Sequence, residues 1–72
     1  MTRKATDYAA FRRRLREARL KAGMTQTEAA RRLGKPQSHI SKVESGERRV
    51  DAVELRAYAR LYGVRITFFY DW

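Results

Sequence analysis

Cysteine is absent from this chain, so neither a disulfide nor a thiolate metal site can supplement its core. A single histidine argues against a zinc or other transition-metal site, and no metal or cofactor is expected. No apolar run approaches the ~20 residues that cross a membrane, and the N-terminus lacks the apolar centre of a signal peptide. An intracellular, cytoplasmic location associated with the nucleoid is the expectation. Glycine occurs four times and proline once, too few for a loop-rich or low-complexity chain. Acidic residues number eight against seventeen Lys and Arg, a net charge of +9. At 72 residues there is room for one domain, which buries roughly 60% of its unfolded surface.

The charge is unevenly spread. Residues 1–22 carry a net +6, residues 23–49 a net +3 and residues 50–72 none. The aromatics run the other way, with six of the eight between Tyr58 and Trp72. A basic front and a neutral, aromatic back suit a polyanion bound at the front. No helix pairs a basic face with a bulky apolar one, so a membrane surface is a poor partner. There is no nucleophile–base pair, no paired carboxylates in a cleft, no metal cluster and no phosphate-binding glycine loop. No catalytic residue is assigned, and enzymatic activity is not expected.

The chain is organised around residues 25–46, TQTEAARRLGKPQSHISKVESG. Thr25 and Glu28 have the spacing of a capping box, which opens a helix by reciprocal bonds to free backbone N–H groups. Ala29, Ala30 and Leu33 give that helix a small apolar face, and Gly34 can end it. Pro36 suits the first turn of a second helix. Ile40 and Val43 mark its buried side, which leaves Gln37, Ser38, Ser41 and Lys42 outward. Gln and Ser are poor core residues but can read base edges in a DNA major groove. Gly46 closes the helix.

These residues resemble the helix-turn-helix of the Xre, or phage repressor/Cro-like, family. TQTEAARRLG, PQSHISKVE and ESGERR carry the likeness, which spans about Arg19 to Val64. The resemblance implies an all-α bundle of four to five helices that binds double-stranded DNA as a homodimer. It places Gln37, Ser38 and Lys42 on base-contacting positions, with His39 and Ser41 flanking them. It implies that Gln26 bonds a phosphate and braces Gln37, and that Arg48 and Arg49 lie along the DNA backbone. It also implies an ion pair between Arg19 and Glu44, read as scaffold. Two residues depart from the family pattern. Pro36 stands where a capping Ser or Thr is common, and Ala29 stands where Leu is usual, leaving space that a Tyr could fill.

Around this centre, residues 1–6 read as a flexible basic tail and residues 7–64 as the DNA-binding domain. Helix one is expected over Asp7 to Ala22, capped by Thr6 or Asp7, with Phe11, Leu15, Ala18 and Ala22 inward and Arg12, Arg13, Arg14 and Arg16 on a mostly solvated face from which some could approach phosphates. Asp51 and Glu54 make a second capping box, opening a helix that Gly63 stops. That helix has two apolar stripes. Leu55, Tyr58, Ala59 and Tyr62 match core positions, while Val53, Ala57 and Leu61 leave a face for a partner subunit.

Residues 65–72 are the largest departure from the family. The β-branched and aromatic run from Ile66 to Trp72 is either a short strand or a final helical turn. Ile66, Phe68, Phe69, Tyr70 and Trp72 expose more apolar surface than a lone chain tolerates, so they are expected at a homodimer interface. The alternative is that they fill the chain's own core.

The function expected is a sequence-specific DNA-binding transcriptional regulator, a repressor that acts by occupying its operator, with the 37–44 helix in the major groove. The alternative is an antitoxin-like interaction module whose aromatic tail docks a protein partner. RNA binding fits less well, because the aromatics that would stack bases sit away from the basic residues.

Overall fold

The computed structural model describes residues 3–70, with side-chain environments from residue 7 onward. Four helices follow one another: α1 (Arg3–Lys21), α2 (Gln26–Leu33), α3 (Gln37–Ser45) and α4 (Ala52–Tyr62). A short 3₁₀ helix, Ile66–Tyr70, ends the described residues, among which there is no strand.

Helix α1 begins at Arg3 rather than at the expected Asp7. Nothing between these residues breaks a helix, and an established helix propagates with one new bond per added residue. Thr6 and Asp7 therefore lie inside the helix and not at its cap. The last turn carries Arg19 and Lys21, which suit the negative end of the helix dipole.

The cap of α2 is half of what the spacing predicts. Thr25 Oγ1 accepts from the Glu28 N–H at 3.0 Å. The Glu28 carboxylate does not reach back, because Arg32 takes it at 2.7 Å and Arg31 also bonds it. Two charge-assisted bonds one turn along outcompete a single backbone donor. They hold the Glu28 carboxyl below its usual pKa, with Arg32 the larger influence. The box at α4 is complete: Asp51 accepts from the Glu54 N–H at 2.8 Å, and Glu54 accepts from the Asp51 N–H at 3.1 Å. Gly34 ends α2 at φ 71°, a left-handed conformation in which its N–H and that of Lys35 close onto Arg31 and Ala30.

The core is built from one face of each helix. Phe11, Leu15 and Ala18 of α1 meet Ile40 and Val43 of α3, with Ala29 and Ala30 of α2 and Leu55, Tyr58, Ala59 and Tyr62 of α4. The two alanines keep α2 thin where it packs on α3 and α4. The bulk comes from the tyrosines of α4, whose rings lie 5.9 Å apart. Burial pushes the Tyr58 phenol up to about 12 and raises Tyr62 as well, so both are neutral in ordinary conditions.

The C-terminal turn is where the structure departs most from the sequence-based reading. Phe69, expected at a dimer interface, is fully buried and packs edge-on to Phe11 at 6.4 Å. The turn lies against α1 and α4 and closes the core at that end. Phe68 is half-buried beneath the Arg14 guanidinium at 4.8 Å and the Lys21 ammonium at 5.4 Å. Ile66 and Tyr70 remain exposed, at 43% and 56%. Trp72 lies outside the described residues. The reason for the split is geometric. A 3₁₀ turn repeats every three residues, so Ile66 and Phe69 share a side lengthwise, but only Phe69 reaches under α1 and α4. Of the second stripe on α4, Val53 is 80% exposed, Ala57 is exposed and Leu61 is half-buried.

Candidate nucleic-acid interface

Helix α3 is short and held from below. Ile40 and Val43 are buried, and their spacing turns Gln37, Ser38 and Lys42 into solvent. His39 and Ser41, on the flanks, are half-buried. Pro36 takes the N-cap position at φ −65° and supplies no side-chain bond, though its carbonyl accepts from the His39 N–H at 3.0 Å. Burial first, and the nearby Arg48 charge second, hold His39 below its ordinary pKa. It is a neutral imidazole at pH 7, able to donate at one nitrogen and accept at the other.

The N-terminal end of α3 is tied to the protein interior by a chain of four side chains. Arg19 of α1 is only 6% exposed. Its Nε donates to Glu44 Oε2 at 2.6 Å and its Nη2 to Glu44 Oε1 at 3.0 Å, while Nη1 donates to the Met24 carbonyl at 2.9 Å. The bond to Glu44 raises the Arg19 pKa above its already high value, so the guanidinium is permanently charged. Gln26 Nε2 donates to Glu44 Oε1 at 3.1 Å, and Gln37 Nε2 donates to Gln26 Oε1 at 2.8 Å. The ion pair and the paired glutamines, two separate features in the sequence reading, are one connected network.

A basic rim surrounds the helix. Arg48 is exposed and pairs with Glu54 of α4 at 3.1 Å. Arg49 is exposed and its guanidinium stacks over the Tyr8 ring at 4.3 Å. Ala9, Arg12, Arg13 and Arg16 of α1 line a shallow groove with Glu44. Arg12 has a structural contact that the sequence-based reading did not assign to it. Its Nη1 donates to the Glu44 carbonyl at 3.3 Å, where α3 ends and its dipole is negative. Its side chain also lies 3.0 Å from where a Cβ on Gly46 would stand, and Gly46 has φ 90°. Arg14 is likewise engaged, with Glu17 at 3.1 Å and with Phe68. The signal for Arg12 was its place two turns before Arg19, on the same flank of the α1 core stripe. Nothing in the sequence pairs Tyr8 with Arg49, forty-one positions later.

A compact helical domain that exposes one polar helix, braced at its N-terminus and rimmed by arginines, defines a helix-turn-helix DNA-binding protein. Residues 15–69 match the helix-turn-helix family. The chain is also similar to a solved structure, an XRE-family like protein from Pseudomonas syringae pv. tomato str. DC3000. The two are 42% identical over 92% of this chain and 80% of that one, with a TM-score of 0.84. Among curated proteins the chain has no match. It belongs to the Xre family of helix-turn-helix proteins and is a DNA-binding transcription regulator. No helix among the described residues is long and apolar enough to cross a membrane.

Proposed function

We propose that the protein binds an inverted-repeat operator as a homodimer and represses transcription by occupying it. The observation that carries this reading is the α3 surface: Gln37, Ser38 and Lys42 are exposed side by side on a helix whose other side is locked in the core. Gln37 matches adenine, and Lys42 can donate to guanine O6 and N7. Ser38 completes the base-reading set, with His39 and Ser41 at its margins. Gln26, Arg48 and Arg49 serve the phosphates, and Arg49 is held for that role by the Tyr8 ring. Phosphate contacts set register and affinity and make binding depend steeply on salt. Exposed Val53 and Ala57 on α4, with Ile66 and Tyr70 of the last turn, support self-association. Phe69, fully buried, has no surface to offer a partner, while Phe68 keeps a half-exposed edge beside Tyr70.

Selection of bound sequences from a random duplex pool at near-physiological salt tests the proposal. An enriched inverted repeat is expected, with half-site centres about 34 Å apart or a multiple of this. Retention of DNA without an enriched sequence would refute specific recognition. A single enriched half-site would refute the homodimer.

A further inference from the structure

The hydrogen-bond network beneath the recognition helix has a direction, and that direction is imposed from one end. Arg19 carries donors only. Glu44, bonded to it through both oxygens at 2.6 and 3.0 Å, offers acceptors only. An amide within reach of such an oxygen must turn its NH₂ toward it, and Gln26 does so at 3.1 Å. Gln26 therefore presents its carbonyl oxygen to α3, and Gln37 must answer with an N–H, at 2.8 Å. What Gln37 keeps for an outside ligand is its own oxygen and its second N–H, an acceptor beside a donor. Adenine offers the complement in the major groove, the N6 donor beside the N7 acceptor. If the chain ran the other way, Gln37 would be held by its oxygen and would present two N–H groups. Those suit the paired acceptors of guanine, N7 and O6.

We propose that the Arg19–Glu44 ion pair is a specificity determinant which, acting through Gln26, orients the Gln37 amide and biases the recognition helix toward adenine over guanine. Arg19 and Glu44 are positioning residues, set behind the surface that meets DNA. The inference deepens the proposed function and rests on Gln37 facing a base. A neutral amide at position 44 can donate as well as accept, so it leaves the direction of the chain unset.

The test is competition binding of the full-length protein to duplexes that differ only by adenine or guanine at the position read by Gln37. Glu44→Gln and Gln26→Ala are each made alone and combined with Gln37→Ala. Each single change is expected to lower the adenine-over-guanine ratio by about threefold to tenfold, part of what a bidentate base contact contributes. Ratios at other operator positions stay as they were. In the Q37A background neither change moves the ratio further. Gln26→Ala leaves the buried ion pair whole, so it carries the test even where Glu44→Gln fails to fold. Loss of a Gln26 phosphate contact weakens all sequences alike and cancels in the ratio. If Q37A relaxes the preference while Q26A and E44Q leave it unchanged, the inference is overturned and base reading by Gln37 stands. An effect of E44Q that persists in the Q37A background overturns it too. If Q37A itself changes no preference, the assignment of Gln37 falls and the inference falls with it.

Discussion

Phe69→Ala separates a core role for the C-terminal turn from an interface role. Phe69 is fully buried, with Phe11 at 6.4 Å and Phe68 at 6.0 Å between ring centres. Truncating a buried Phe to Ala removes transfer free energy and leaves a cavity, together about 3–5 kcal/mol. At ~0.05–0.15 kcal/mol per residue, a 72-residue domain holds about 4–11 kcal/mol. The change should thus remove a large share of the stability, and for a domain of this size lower the Tm by more than about 12 °C. Urea unfolding followed by far-UV circular dichroism, at two protein concentrations tenfold or more apart, measures it. A core residue loses the same free energy at both concentrations. Ile66→Ala, at an exposed position of the same turn, should cost under about 1 kcal/mol within the monomer. A loss below about 1 kcal/mol for Phe69→Ala, or one that appears only where the protein self-associates, would refute the core assignment.

Other expectations follow from the interface. Arg48→Ala should weaken binding to all sequences and reduce the slope of log affinity against log salt by about 0.9, seen by fluorescence anisotropy across a salt series. Its stability cost should stay within about 1 kcal/mol, because the Arg48–Glu54 pair is exposed; an unchanged salt slope would remove Arg48 from the phosphate contacts. Because His39 resists protonation in the folded state, the unfolded chain takes up the proton first as pH falls through about 6.5. Acidification from about pH 7.5 to about 5.5 should therefore lower the Tm, and His39→Gln should flatten that decline; coincident profiles would contradict the burial of His39. Gly46→Ala places a Cβ against the Arg12 side chain in a left-handed conformation, which should cost about 1–2 kcal/mol in thermal unfolding. An unchanged Tm would mean that the end of α3 is not held as described.

The helix-turn-helix was legible because its signals are local. Thr25, Gly34, Gly46, Asp51, Glu54 and Gly63 act within one turn of themselves, and all serve as caps in the structure. The inward positions of α1, α3 and α4 followed from helical spacing, and the outward face of α3 followed from them. Glu28 shows the limit of such reading, since the same carboxylate serves a backbone N–H or a neighbouring cation with equal ease on paper. Its two arginines, three and four residues on, took it.

By itself, the sequence determined the number and kind of the main helices, the concentration of basic charge in the first two-thirds of the chain and the identity of the side chains on the outer face of α3. These depend on hydrogen bonds and periodicities within a few residues, which a chain carries wherever it goes. Only the tertiary structure decided that Phe69 is core while Ile66 and Tyr70 are surface, and that Arg12 closes the end of α3. It alone joined Arg19, Glu44, Gln26 and Gln37 into one directed network across three helices. Each of these outcomes turns on which groups far apart in the chain come within about 3 Å to 6 Å, distances that no local spacing encodes.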